Sequence, residues 1–224
     1  MLRRLVAPLA FGLSLAIVFP VGGADIPRAT LLLEVLSEPS AGRIPEAAPP
    51  RFVLMESGEV YVGGTSALFV ARPAKSDLGP IQKQVAQVRK IRGLASTVTL
   101  GPGSDRRRVV LADGKPLEIV ATGDPAAAPI ALRPLTSLLA TLEEFGHPSL
   151  RPYRTAAYRL IAREAAMAGG CRPWTFPTPL TTILVSPTTV SAADDWPTGA
   201  LSASVCSGDK AYQVNLRPLL PGEK

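Results

Sequence analysis

Apolar residues recur along this chain in two rhythms, short β-type runs and stretches of helical three- and four-residue spacing. Within residues 51–72 (RFVLMESGEVYVGGTSALFVAR) three runs, Phe52–Met55, Val60–Val62 and residues 68–71, are rich in side chains that suit a pleated, half-buried surface. Glu56-Ser57-Gly58 divides the first two, and Gly58 can take the positive φ of a tight turn. Gly63-Gly64 punctuates the next gap, and Pro49-Pro50 fixes the entry because neither can donate to a ladder. The pattern predicts a hairpin or meander at the centre of a sheet. Residues 29–35 (ATLLLEV) predict a first strand, joined to it by a flexible Pro/Gly/Ala segment, residues 37–50.

Helical spacing appears twice. Leu78, Ile81, Val85, Val88 and Ile91 predict an amphipathic helix capped by Ser76 or Asp77, with Pro80 in its first turn and Gly93 closing it. Lys83, Arg89, Lys90 and Arg92 fall mostly on its other face, and basic residues in its last turn complement the dipole. Leu132, Leu135, Leu138, Leu139, Leu142 and Phe145 predict a second helix ending at Gly146. Residues 106–111 and 117–121 flank Ala112-Asp113-Gly114-Lys115, where Asp-Gly fits a type I′ turn. Residues 153–163 read as a strand with one wet face. Residues 201–206 and 211–216 form a last hairpin turning at Ser207-Gly208-Asp209. These elements alternate irregularly, which predicts an α+β fold with a largely antiparallel sheet built from hairpins and two amphipathic helices, and no doubly wound sheet.

Composition then narrows the setting. Residues 1–24 read as a signal peptide: Arg3 and Arg4 form a positive start, residues 5–21 are apolar apart from Ser14, and Gly22-Gly23-Ala24 offers a cleavage site after Ala24. An uncleaved membrane anchor is the rival reading. Its apolar run of about 17 residues sits at the lower limit for a span and contains Pro8 and Pro20. Residues 25–224 are expected to form a single α+β domain, secreted or periplasmic, with no transmembrane span. Losing Arg3 and Arg4 lowers the net charge from +6 to +4, too mild an excess for a nucleic-acid binder. The 23 prolines and 19 glycines make the chain loop-rich, and residues 169–197 are Pro/Thr-rich. Cys171 and Cys206 are the only cysteines, and an oxidising compartment predicts that they form a disulfide closing this C-terminal segment.

Two stretches carry a resemblance. Pro-Arg-Phe-x-Leu-x-x-x-Gly-x-Val (residues 50–60) and Tyr-x-Val-x-Leu-Arg-Pro-Leu-Leu-Pro-Gly-Glu (residues 212–223) occur in an order of elements that resembles a group of bacterial exported proteins. Several of that group are lipoprotein-like, and the group has no established activity. This chain departs from it in lacking the lipid-anchor cysteine and in carrying Ser57 where an aspartate is common. The resemblance implies a location and a shared fold, and no catalytic residue.

Candidate chemistry is sparse. His147, the single histidine, sits in Gly146-His147-Pro148 just after a helix, where the ordinary role is contact with the last carbonyls. No G-x-S-x-G elbow presents a serine. Ser207-Gly208-Asp209-Lys210 matches S-x-x-K, but across a hairpin turn instead of one turn of helix. Asp194-Asp195 lacks the surrounding spacing of a calcium loop, and Gly101-Pro102-Gly103 lacks the lysine and helix of a phosphate loop. No metal ligand set and no cofactor is therefore expected. Arg106, Arg107 and Arg108 are the candidate anion-binding residues, with Arg106 and Arg108 on one strand face and Arg107 on the other. The competing role is a charged edge that resists aggregation. Trp174, Phe176 and Trp196 are candidate lids over the core or stacking platforms.

The expected function is binding or interaction without catalysis in the bacterial cell envelope, with an envelope protein as partner through a sheet edge or the C-terminal tail. An envelope hydrolase with an unmarked site and an electrostatic adaptor to anionic envelope polymers are the alternatives.

Overall fold

A computed structural model describes residues 26–36, 48–63, 67–165, 170–175, 178–191 and 202–223. The leader, most of the 37–50 linker, Phe176, Trp196 and Asp194-Asp195 lie outside the described residues. The fold is α+β with largely antiparallel sheets, arranged as one of eight strands and one of five.

The large sheet contains β1 (Ala29–Leu36), β2 (Phe52–Met55), β3 (Val60–Val62), β4 (Phe69–Ala71), β5 (Thr97–Thr99), β6 (Arg106–Leu111), β7 (Leu117–Thr122) and β8 (Arg151–Pro152). Their order is β5-β7-β6-β1-β2-β3-β4-β8, so the β2–β4 meander and β1 together hold the middle of the sheet. Met55 and Glu59 close the first hairpin through a 2.9 Å bond, and Gly58 takes φ +82° between them. A residue with a Cβ would be strained at that angle. Period-2 alternation divides the side chains: Leu31, Leu33, Phe52, Leu54, Val109 and Leu111 face one way, while Leu32, Val53, Met55, Tyr61 and Val110 face the other.

The first face is covered by helices α1 (Lys75–Val88) and α2 (Arg133–Glu143), which contribute Leu78, Ile81, Val88, Leu135, Leu138 and Leu142 to its core. The α1 helix begins at Lys75, so Asp77 works from the third helical position. Its carboxylate accepts the Ala74 N–H at 3.1 Å. Pro80 consequently lies inside the helix, beyond the first turn where the spacing places it. The helix also ends earlier than predicted, at Val88, and its last turn holds no basic residue. Ile91 still packs on the core from beyond that end. Arg89 serves the neighbouring hairpin instead. Its guanidinium donates to the carbonyls of Lys115 (2.6 Å), Leu111 (3.1 Å) and Asp113. That hairpin pairs Leu111 with Leu117, leaving residues 112–116 as a longer loop and not the two-residue I′ turn. Pro116 has no N–H to extend the ladder inward.

The small sheet contains β9 (Ala157–Ala165), β10 (Arg172–Pro173), β11 (Thr188–Ser191), β12 (Ser202–Ser207) and β13 (Lys210–Pro218), in the order β10-β12-β13-β9-β11. A short helix α3 (Leu180–Val185), inside the Pro/Thr-rich stretch, packs Leu180 and Ile183 against Leu160, Val190, Val214 and Leu216. Trp174 is half-buried on this core and donates its indole N–H to the Thr178 carbonyl at 2.9 Å. The last hairpin is tighter than predicted, because Ser207 pairs with Lys210 and only Gly208-Asp209 turn. Cys171 and Cys206 are joined by a disulfide with a Cα–Cα distance of 5.5 Å, which ties β10 to β12.

Beyond β13 the chain leaves the small sheet and enters the second face of the large one. Leu220 is 3% exposed there, among Leu32, Val53, Met55, Tyr61 and Ile26. The Leu219 N–H bonds the Ala157 carbonyl at 3.0 Å, and the Thr155 hydroxyl donates to the Leu219 carbonyl at 2.8 Å. The ending singled out in the sequence is thus the joint between the two sheets.

Candidate functional site

Among the described residues, the second face of the large sheet is only half covered. Leu220, Ile26 and Tyr153 pack over β1–β4, whereas β6, β7 and β5 carry Arg106, Arg108, Glu118, Val120, Thr122, Thr97 and Thr99 on the uncovered part. Antiparallel sheets tolerate such a face because its alternate positions are polar.

Arg108 is fixed at the boundary between the two halves. Its guanidinium bonds Glu118 Oε1 at 2.8 Å on β7 and Glu34 Oε2 at 2.9 Å on β1. Burial alone would lower the Arg108 pKa, but the hydrogen bonds to Glu118 and then Glu34 outweigh it and hold the group above its ordinary value. The hydrogen bond from Arg108 draws the Glu118 carboxyl below its ordinary value. Arg107 points to the helix face, as strand alternation predicts, and pairs with Glu143 at the end of α2 (2.5 Å) and with the Gly123 carbonyl (3.2 Å). Of the three candidate anion-binding arginines, Arg107 and Arg108 thus spend their charge on internal carboxylates, and Arg106 is exposed.

The edge of this face is β5, which among the described residues pairs with β7 alone, in parallel. Ser96 accepts from the Val120 N–H at 2.7 Å and Leu100 donates to the Thr122 carbonyl at 2.8 Å. In such a ladder the alternate residues, Thr97 and Thr99, turn their backbone groups away from β7. Both are exposed.

His147 has partners within reach. Its Nδ1 lies 2.7 Å from the Ser149 hydroxyl and accepts the Ser149 N–H at 3.2 Å, and its Nε2 lies 3.4 Å from Asp77 Oδ2. Asp77 is already the residue that caps α1, and its second oxygen accepts from the Ser76 hydroxyl at 3.3 Å. The chain of contacts therefore fastens the loop after α2 to the start of α1, and one residue serves as strut. Ser207 and Lys210 are cross-strand neighbours at the hairpin turn, and the Lys210 ammonium pairs with Glu164 at 3.1 Å, which raises its pKa. That lysine faces a carboxylate, not a serine nucleophile. Among the described residues no group of three or more histidine, cysteine, aspartate or glutamate side chains is placed to hold a metal ion. No helix among them is long and apolar enough to cross a membrane.

Both stretches behind the sequence resemblance have structural duties. Arg51 donates to the Gly63 carbonyl at 2.9 Å and to the Glu143 carbonyl, so it closes the end of α2 onto the meander. Phe52 meets Phe145 edge-on at 5.1 Å. In the ending, Glu223 has a fully buried carboxylate that binds the Arg217 guanidinium and accepts the Leu220 N–H at 3.1 Å. Arg159 stands 3.9 Å away, and its pKa is lowered first by burial and then by Arg217, with Glu223 opposing. The charged ending is buried with its own counter-ion, Glu223, six residues after Arg217.

Tyr61 reports on the covered half. It meets Tyr153 edge-on at 5.1 Å, and burial, followed by the Glu59 carboxylate, pushes its pKa up to about 12. A raised phenol pKa stabilises the fold fully below the ordinary tyrosine value of ~10, and that contribution is lost as pH rises through the shifted value. A tyrosinate absorbance titration of the native protein should therefore show one step near about 12 that disappears in Tyr61→Phe.

A scan against protein-family models, a search of curated proteins and a search of solved structures each return no match.

Proposed function

We propose that this chain is an exported, non-catalytic binding protein of the bacterial cell envelope, secreted or periplasmic, which engages an extended segment of another envelope protein along β5. The observation that carries this reading is the edge left open among the described residues, where Thr97 and Thr99 are exposed beside a polar sheet face that no described residue covers. An added strand would find unpaired main-chain donors and acceptors there, with the Arg108–Glu34–Glu118 group holding the neighbouring strands rigid. The C-terminal tail, the other surface considered from sequence, is packed inside and offers nothing to a partner. The candidate chemistry points the same way, since His147 is occupied as a strut and Lys210 as an ion-pair member.

The test uses the mature chain as bait for envelope proteins of the native host, compared with Thr99→Pro. Proline at 99 removes an outward N–H and leaves the Val98 bonds to β7 in place. Capture lost in Thr99→Pro and retained in Arg106→Glu supports strand addition. Capture that survives Thr99→Pro but falls with Arg106→Glu and with added salt removes this reading in favour of the polymer adaptor.

A further inference from the structure

We infer that a second copy of this chain occupies the β5 edge when no partner does, pairing antiparallel with its own counterpart about a two-fold axis at Val98. This rests on the strand-addition reading above and adds the state from which a partner has to recruit the chain.

Among the described residues β5 has one neighbour, and it carries none of the charges, prolines or bulges that ordinarily keep a sheet edge single. Its shortness is the one safeguard. The run Thr97-Val98-Thr99 reads the same in both directions. Antiparallel pairing centred on Val98 therefore sets Thr97 opposite Thr99 of the second copy, and Thr99 opposite its Thr97. These are the residues whose N–H and C=O groups turn away from β7, so they make the hydrogen-bonded pairs, each exchanging both N–H···O bonds. Val98 then falls at the non-hydrogen-bonded position on the axis, where opposed side chains come closest. It packs on the helix-covered core with Ile91 and Leu94, and all three are only partly buried. A second copy brings these apolar groups together on that face and sets threonine against threonine on the other.

Charge decides the occupant. Residues 89–96, which lead into β5, hold Arg89, Lys90 and Arg92 and no acid. Arg89 is engaged by the hairpin carbonyls, whereas Lys90 and Arg92 are exposed. Past Thr99, residues 101–105 are tied to the end of β7 by the Gly123 N–H on the Asp105 carbonyl (2.9 Å) and the Asp124 N–H on the Pro102 carbonyl (2.8 Å). Asp105 and Asp124 are exposed at this end, and Asp124 also accepts the Ala126 N–H at 2.8 Å. Arg106, exposed there too, stands on β6 with β7 between it and β5. The edge is thus basic where it begins and acidic where it finishes. An antiparallel two-fold lays each beginning against the finish of the other copy, so the chain complements itself, whereas a parallel arrangement opposes like charges. Three residues a side make a small contact. The association is accordingly weak and reversible, and it yields the edge to a strand that binds better.

Sedimentation velocity of the mature chain, from micromolar to millimolar concentration in low salt, tests this. The expected result is a mass that rises from monomer to dimer, with the rise lost in Thr99→Pro. Arg92→Glu alone and Asp105→Lys alone should each weaken association at least about tenfold, because like charges then face each other across the axis. The two charge variants mixed in equal amounts should regain the parent's association, since each meets the reversed charge of the other. A chain that stays monomeric throughout overturns the self-pairing, and capture of an envelope partner that Thr99→Pro abolishes would still uphold the strand-addition reading. Loss of both takes that reading down as well. Association that survives Thr99→Pro, or that mixing the charge variants fails to restore, places the contact elsewhere and overturns the two-fold at Val98.

Discussion

Glu223→Ala should lower the unfolding free energy by about 3–5 kcal/mol, the range for removing one partner of a buried ion pair. The Glu223 carboxylate is fully buried, and Arg217 keeps its guanidinium 3% exposed beside it. Without the carboxylate, the Arg217 charge stays buried, and Arg159, which stands 3.9 Å from Glu223 in the parent, adds a like charge. The Leu220 N–H also loses its acceptor, which frees the apolar side chain that closes the second face of the large sheet. Guanidinium unfolding of the variant measures the loss. A paired replacement, Arg217→Met with Glu223→Leu, separates charge from shape: it should recover much of the loss, because apolar side chains of similar volume carry no desolvation penalty. If Glu223→Ala unfolds within 1 kcal/mol of the parent, a scale typical of exposed pairs, the ending is not the joint described above.

What the residues made legible follows from how local each signal is. The apolar runs at Phe52–Met55 and Val60–Val62 form where the spacing places them, and the leucines around Leu138 make the expected helix, which ends at Glu143, before Gly146. The face of each arginine in Arg106-Arg107-Arg108 was readable from strand alternation. Their carboxylate partners were not, since Glu34 and Glu118 reach Arg108 only through strand order. The misplaced signals have separate causes: Asp77 caps α1 from its third helical position, and the Asp113-Gly114 pair makes a longer loop where Pro116 lacks the N–H to extend the ladder inward. The β5 edge was illegible: a three-residue Thr-Val-Thr strand has no periodicity to detect, and its parallel pairing with β7 depends on the intervening crossover. The joint made by residues 217–223 was visible as a motif and invisible as a buried ion pair, because sequence gives charge without solvent exposure. The proposed binding edge therefore comes from tertiary geometry.

The same tertiary dependence sets the second large effect, at Gly123. This residue follows β7 with φ +101°, and a Cβ built there would lie 2.1 Å from the Gly101 carbonyl oxygen. The obstacle is backbone, which cannot swing aside as a long side chain does. Gly101 has no room to retreat, because its own Cβ position lies 2.6 Å from Ala127 Cβ. The segment is pinned further by the Gly123 N–H on the Asp105 carbonyl (2.9 Å), the Asp124 N–H on the Pro102 carbonyl (2.8 Å) and Arg107 on the Gly123 carbonyl (3.2 Å). Gly123→Ala should accordingly cost about 2–6 kcal/mol, combining backbone strain with overpacking. Gly114→Ala supplies the control: its φ is +75°, and nothing lies within 4 Å of the added carbon. That variant bears the strain alone and should lose only about 1–2 kcal/mol. The two substitutions compared by thermal and urea unfolding isolate the clash. Because Gly123 also places the acceptor for Arg107, the larger loss should be accompanied by loosening of the Arg107–Glu143 pair, visible as faster amide exchange at the end of α2. Equal losses at the two glycines would mean that the β5 and β7 ends do not meet at backbone distance, and the edge proposed for partner binding would lose its support.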